Sequence, residues 1–297
     1  MFGFVKMCNG QHVKQNILDL TAGFYTSIQD LGRRGFSHYG VPVSGVMDSL
    51  SAARANLLLN NSKDAAVLEI TMTGPELHFK EATQICICGA EFEVYLDNKP
   101  ISNAKAYYVS KNAILSFKAL KKGFRAYLAV WGGFKSKKVL GSRSFYDGIT
   151  NTSRLQKDDL LLLSVATLKD SAGARVVVDS EQLFSKEIPV YKGPEFDLLP
   201  QALQERLLTE DYTLTPAGNR MAIPFKECLP NTLKGILTGP VLPGTIQLTP
   251  GGNLIALMRD CQVTGGYPRV LQIQEIGLCR LSQKTPGMGV RFTLTSA

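Results

Sequence analysis

A polar segment between residues 27 and 48 carries side chains suited to acid–base chemistry and anion binding. Four glycines and one proline interrupt it, which predicts a long ordered loop, and such loops in compact domains usually build a site. Within it, His38 is the side chain of a type suited to general acid–base catalysis, and Arg33 or Arg34 could hold a carboxylate or a phosphate. The alternative is structural, with Asp30 paired to an arginine and His38 capping backbone groups.

A second candidate segment spans residues 125–144. Gly132 and Gly133 follow a strand-like run, and paired glycines at a strand end allow close approach of a ligand or of another backbone. The run from Gly141 to Ser144 then places hydroxyls, amides and the Arg143 guanidinium in a short arc, which favours an anion. A bulge followed by a surface turn would explain the same residues.

The third candidate segment, residues 258–268, is an apolar strand that ends in charged residues and a Gly-Gly turn. This pattern predicts that Asp260 and Thr264 lie at the rim of a sheet. Asp260 could act as a general base, or could orient one, if the fold removes it from water. An ion pair between Asp260 and Arg259, or another cation, is the alternative.

The elements that must position these segments are mainly strands. Short runs rich in β-branched and aromatic residues predict strands at residues 82–88, 91–96, 113–117, 125–130, 159–165 and 289–295. Residues 244–249 and 253–258 flank Pro250-Gly251-Gly252 and predict a hairpin. Two helices are predicted, at residues 49–59 behind an Asp48 N-cap and at residues 200–208 with proline in the first turn.

The chain divides most naturally at residues 168–185, which mix serine, alanine, glycine and charges. We therefore predict an N-terminal extension at 1–16, a β-rich subdomain carrying the site loop at 17–167, and a second β-rich subdomain at 186–297. The fold class is mainly β (β-rich α+β).

Composition excludes several classes of function. The formal charge of +8 is scattered rather than gathered into a basic stripe with aromatics, which argues against nucleic acid and fits an anionic small molecule or an acidic partner. Six cysteines without a disulfide framework and three histidines without metal-ligand spacing predict a reduced protein without a structural metal. The absence of a signal-peptide core or a membrane-length apolar run predicts a cytoplasmic protein that does not bind membranes.

Several nucleotide and catalytic motifs are missing from the sequence. It has no P-loop, no strand-linked Gly-x-Gly-x-x-Gly, no His-Glu-x-x-His and no nucleophile elbow. The Val5-Lys6-Met7 run lacks the preceding methionine of a biotinyl-lysine site. Chemistry that needs ATP or biotin is therefore expected to depend on a partner protein.

Taken together, the candidate segments resemble the family of biotin-dependent carboxyltransferase-like proteins. This family includes the C subunit of 5-oxoprolinase, an antagonist of a sporulation kinase inhibitor, and part of the carboxyltransferase region of urea carboxylase. Its pattern, approximately T-x-Q-D-L-G-R-x-G followed by G-V-P-x-S-G-x-M-D, is matched almost throughout residues 27–48. Further matches follow in order at residues 68–75, 127–133, 141–144, 219–221, 244–247 and 264–268.

The resemblance implies two β-barrel-like subdomains of cyclophilin-like type and a component of an ATP-dependent 5-oxoprolinase. Such a complex opens the 5-oxoproline lactam to glutamate with partner subunits A and B, and its ATP would bring Mg²⁺ as the sole metal. The alternatives are a carboxyltransferase for urea or a related amide, which needs a separate biotin carrier, and a non-enzymatic regulatory binding protein. Cys261 and Val263 stand where relatives often carry arginine and threonine, which leaves the particular amide open.

The segments and the resemblance together give the predicted site. The predicted catalytic residues are His38, Asp260 and Asp30. The predicted substrate- or anion-binding residues are Arg33, Ser44, Arg143, Arg220, Gln247, Thr264, Gly265, Gly266 and Tyr267.

Overall fold

Two sheets contain most of the strands in the computed structural model, which describes residues 13–164 and 180–295. Most of the predicted N-terminal extension and most of the predicted boundary segment lie outside the described residues. The predicted subdomain limits stay a prediction, although the first sheet draws only on residues 13–164 and the second only on residues 187–294.

The first sheet has nine strands in the order β2-β3-β8-β4-β1-β9, with β5 pairing β6, β7 and β8. Its strands are β1 (Val13–Thr21), β2 (Tyr25–Gln29), β3 (Val67–Thr71), β4 (Glu76–Phe79), β5 (Thr83–Leu96), β6 (Lys99–Ile101), β7 (Ala106–Val109), β8 (Ile114–Val130) and β9 (Leu160–Ser164). Every pairing in this sheet is antiparallel. Its core packs aliphatic and aromatic side chains from nearly all of these strands.

The second sheet has seven strands in the order β11-β18-β10-β17-β14-β15-β12, in which only β10 and β18 run parallel. Its strands are β10 (Glu187–Lys192), β11 (Tyr212–Thr213), β12 (Ala222–Cys228), β14 (Thr245–Leu248), β15 (Asn253–Leu257), β17 (Arg269–Ile273) and β18 (Gly289–Leu294). A separate two-stranded sheet pairs β13 (Gly239–Pro240) with β16 (Thr264–Gly265). The prediction of a mainly β protein is confirmed.

Four α-helices complete the described part of the chain: α1 (Ser49–Leu57), α2 (Ser180–Leu183), α3 (Gln201–Thr209) and α4 (Glu275–Ser282). Asp48 caps α1 as predicted, because its Oδ1 accepts a hydrogen bond of 3.0 Å from the Ser51 amide. The prediction missed α4, which has a glycine near its centre. A Cβ on Gly277 would lie 3.0 Å from the Pro189 carbonyl oxygen, so the glycine permits close helix–strand packing.

Gln283, just after α4, connects the second half of the chain to β8 and to the cap of α1 through a single buried side chain. Its Oε1 accepts from the amides of Phe124 and Arg125 at 3.0 Å each. Its Nε2 donates to the Arg125 carbonyl at 2.8 Å and to Asp48 Oδ2 at 2.9 Å. The side-chain amide of Gln283 therefore forms hydrogen bonds both with backbone groups of β8 and with the residue that caps α1.

Replacing Gln283 by leucine is expected to reduce the free energy of unfolding by about 1–3 kcal/mol, because it leaves buried polar partners without hydrogen bonds. The measurement is equilibrium urea unfolding. Gln201→Leu, at an exposed position on α3, is the matched control and should unfold like the wild type. Equal urea midpoints for Gln283→Leu and the wild type would contradict the bridging role.

Candidate functional site

The Asp30 carboxylate holds two loops together at the end of β2. Its Oδ1 accepts from the Gly32 amide at 2.9 Å and from the hydroxyls of Ser142 at 2.5 Å and Ser144 at 2.7 Å. Its Oδ2 accepts from the Arg143 amide at 2.6 Å. The first and second candidate segments therefore meet at one carboxylate, and backbone and hydroxyl donors take the place of the Asp30–arginine ion pair that the structural alternative proposed.

Arg33 is buried beside this carboxylate and keeps unused donors. Its amide donates to the Val43 carbonyl at 2.6 Å, and Nη2 donates to the Ser144 carbonyl. Its Nε and Nη1 have no hydrogen-bond partner within the described part of the chain. Burial lowers the pKa of Arg33 below its ordinary value, although Asp30 and Asp260 act in the opposite direction. Free donors on a buried cation suit an anionic or carbonyl oxygen.

Ser44 lies where the site loop contacts the second half of the chain. It is buried with φ of 58°, a left-handed conformation that non-glycine residues seldom adopt. Its amide donates to the Arg259 carbonyl at 2.9 Å, whereas its hydroxyl oxygen has no partner in the described residues. Backbone strain at such a position is typical of loops that a surrounding structure holds for a purpose.

A buried charge network around Arg220 links the same loop to both sheets. Arg220 donates to Asp260 through Nε at 2.7 Å and Nη2 at 3.0 Å, and to the Gly45 carbonyl at 2.6 Å. Its Nη1 donates to Glu69 Oε1, while Oε2 of Glu69 accepts from the Met47 amide at 2.7 Å. Burial alone would lower the pKa of Arg220, but Asp260 and Glu69 outweigh it and hold that pKa above its ordinary value.

Glu69 and Arg125 belong to this network, although neither is among the predicted site residues. Arg125 Nε lies 3.9 Å from Glu69 Oε1, and Arg125 Nη1 donates to the Ser282 carbonyl at 2.6 Å. The available signal was a lone carboxylate within an otherwise apolar strand, since a buried charge requires partners. For Asp260, the structure favours the predicted alternative of an ion pair, with Arg220 rather than Arg259 as the cation.

A polar cleft of about 510 Å³ adjoins the Asp30 carboxylate. It lies between the segment after α1 and the segment after β8. Residues lining it include Asp30, Asn61, Trp131, Lys135, Lys138 and Arg143.

The remaining predicted residues fall into two groups. His38 lies on an exposed 3₁₀ turn, Ser37–Tyr39, with its ring centroid 3.9 Å from that of Tyr39. In the described part of the chain, no hydrogen bond or ion pair joins His38 to the other predicted residues. Its assignment as a catalytic residue therefore has no geometric support beyond the shared loop.

The second group surrounds the two-stranded β13–β16 sheet. Gly265 and Thr264 form β16, the Gly266 carbonyl accepts from the Ile236 amide at 2.9 Å, and Tyr267 is exposed. Gln247 is buried against Gly265, where an added Cβ would lie 2.4 Å from Gln247 Nε2. That nitrogen has no partner among the described residues, so it is a free donor beside the turn.

Comparison with known proteins identifies the family. The family model described as carboxyltransferase domain, subdomain A and B, matches residues 39–294. The chain belongs to this carboxyltransferase-domain family. The resemblance inferred from the ordered motifs is thereby confirmed.

Relatives of this carboxyltransferase-domain chain differ greatly in length. It is 32% identical over 282 residues to the C subunit of 5-oxoprolinase from Escherichia coli (strain K12), covering 93% of this chain and 90% of that protein. It is 36% identical over 311 residues to urea amidolyase of Saccharomyces cerevisiae, covering 96% of this chain but 17% of that protein. The crystal structure of Kluyveromyces lactis urea carboxylase matches with a TM-score of 0.85 and 27% identity, over 97% of this chain and 28% of that chain.

Two further observations concern residues 13–164 and 180–295 of this carboxyltransferase-domain chain. No group of three or more His, Cys, Asp or Glu side chains there could hold a metal ion. No helix there is long and apolar enough to cross a membrane.

Proposed function

We propose that this chain is the C component of an ATP-dependent 5-oxoprolinase complex in the cytoplasm, acting with subunits A and B to open the 5-oxoproline lactam to glutamate. The observation that carries the proposal is the match to the C subunit of the Escherichia coli 5-oxoprolinase, which covers 90% of that relative. Free thiols at the five cysteines within the described residues support a reducing compartment.

The geometry supports recognition of a small anionic amide. Arg33 keeps buried donors without a protein partner, and such donors would suit the carboxylate or the ring carbonyl of a lactam acid. Asp260 is held by Arg220 in a two-bond pair, so it is better placed to orient a reacting group than to exchange a proton freely. ATP supplies the activation that a lactam needs, because phosphorylating its oxygen turns a poor electrophile into one that water can attack.

Reconstitution tests this function. The chain mixed with subunits A and B should release glutamate from 5-oxoproline in an ATP-dependent manner, whereas the chain alone should not. Arg33→Gln should abolish turnover because it removes the buried guanidinium, while Arg34→Gln, at the exposed neighbouring position, should retain it. Complex formation by size-exclusion chromatography is measured for both variants. No glutamate above background from the wild-type mixture would reject the proposal.

The urea amidolyase relative favours a second candidate, a carboxyltransferase for urea or a related amide. That reaction requires a biotinylated partner, which a streptavidin blot of co-purifying proteins would reveal. A third possibility is a regulatory binding protein without turnover. Separate substitutions of Arg33, His38 and Asp260 distinguish it, since loss of turnover with retained complex formation indicates an enzyme.

A further inference from the structure

The lining of the cleft beside Asp30 carries three cationic side chains and two carboxylates, an excess of one positive charge. Lys135, Lys138 and Arg143 all line it, and its volume of about 510 Å³ suits a small molecule. Neither lysine Nζ forms a hydrogen bond or an ion pair with any described residue. Arg143 uses Nη1 for the Ser136 carbonyl and leaves the rest of its guanidinium available.

The two carboxylates on the cleft wall, Asp30 and Asp64, form no ion pair with these cationic side chains in the described part of the chain. Asp30 accepts from amide and hydroxyl donors, and Asp64 accepts from the Ser62 hydroxyl. The Asp30 charge acts against burial on the pKa of Arg143, but burial has the larger effect and that pKa stays below its ordinary value. Partial burial lowers the pKa of Lys135, and repulsion from Arg143 and Lys138 lowers it further. A bound anion would relieve this repulsion, so the cleft is electrostatically suited to a ligand of opposite charge.

Trp131 adds an aromatic wall to the same cleft, next to the cations. It is the only tryptophan in the chain. An indole beside cationic side chains can stack on a planar ring while the cations hold negatively charged groups. Several cations around one cleft match a polyanion better than a single carboxylate.

We propose that this cleft binds a phosphate-bearing anion, held by Lys135, Lys138 and Arg143 beside the Trp131 indole. The phosphate could belong to a nucleotide or to a free phosphorylated small molecule. The assignment extends the proposed function, whose reaction uses ATP, but its test requires neither the partner subunits nor the lactam. The two proposals can therefore fail separately.

The test is isothermal titration calorimetry on the full chain at low salt, with pyrophosphate, ATP, adenosine and glutamate as separate probes. Pyrophosphate and ATP should bind, and Lys135→Gln and Lys138→Gln should each raise their Kd about tenfold by removing a charged contact. Lys137→Gln is the matched control, because Lys137 is exposed in the same run but does not line the cleft. Binding should also change the fluorescence of Trp131, and the melting temperature of each variant confirms that it folds.

Each outcome decides the proposal. Binding of ATP much more tightly than pyrophosphate, with the difference lost in Trp131→Leu, supports a nucleotide. Equal binding of both supports a free phosphorylated ligand. The proposal is overturned if neither binds at millimolar concentrations, if adenosine binds as well as ATP, or if glutamate binds as well as pyrophosphate. It is also overturned if Lys137→Gln weakens binding as much as Lys135→Gln.

Discussion

Replacing Arg220 by methionine is expected to reduce the free energy of unfolding by about 3–5 kcal/mol, because it leaves buried carboxylates without their cation. Glu69 is fully buried and Asp260 is nearly so, and both accept hydrogen bonds from the Arg220 guanidinium. The same guanidinium donates to the Gly45 carbonyl in the site loop. The substitution should therefore also disorder the connection between the second sheet and the loop that carries Arg33 and Ser44.

The measurement is urea unfolding, followed by glutamate release in the reconstituted complex. The double variant Arg220→Met with Asp260→Asn should be more stable than Arg220→Met alone, since it removes one uncompensated charge while Arg125 still faces Glu69. Arg206→Met is the surface control, because Arg206 of α3 forms an exposed pair with Glu210 just after the helix, and its unfolding should match the wild type.

Either of two results would contradict the proposed role of Arg220. One is a single variant as stable as the wild type, which would mean that water enters and solvates the carboxylates. The other is a double variant no more stable than the single one, which would assign the loss to packing of the arginine side chain rather than to charge.

The segments of the candidate site could be selected from sequence where the residues that contact one another lie in short motifs. Asp30 and Arg143 lie in short motifs rich in glycine and polar residues, and the structure joins those motifs through one carboxylate. The Arg220–Asp260 pair spans 40 positions, and the Arg220–Glu69 contact spans 151. Neither separation leaves a periodic signal in a single sequence, so the partner of each charge could be established only by the fold.

The fold could be predicted in class but less well in detail. The predicted strands 82–88 and 91–96 form one strand, β5, and 113–117 and 125–130 both belong to β8. Both predicted pairs are separated by residues that look like strand breaks, including Gly89. In the structure both strands continue through these residues, because the register of the β5–β8 pairing shifts near Gly89, Glu91 and Phe92. Such shifts depend on how two strands pair, so neither strand's own sequence predicts them.

Replacing Asp30 by asparagine is expected to lower turnover by about 100-fold while the protein remains folded, because a small displacement of positioning groups strongly reduces rate. In asparagine, an NH₂ group replaces one of the two carboxylate oxygens. That NH₂ group would face another donor, either the Arg143 amide or the donors that bind Oδ1. The loop at residues 141–144 would then move. Arg33 would move with it, since its guanidinium donates to the Ser144 carbonyl.

The Asp30→Glu variant distinguishes the effect of the carboxylate charge from the effect of the carboxylate position. It keeps the carboxylate but lengthens the side chain, so turnover should stay low if Asp30 acts by fixing the loops. Asp147→Asn, at an exposed position shortly after the same loop, is the control and should retain turnover.

The free energy of unfolding of Asp30→Asn should be lower than that of the wild type by about 1–3 kcal/mol, the range for a polar group that loses its partner. Wild-type turnover in Asp30→Asn would rule out a positioning role, and recovery in Asp30→Glu would show that negative charge, rather than loop geometry, is what the reaction requires.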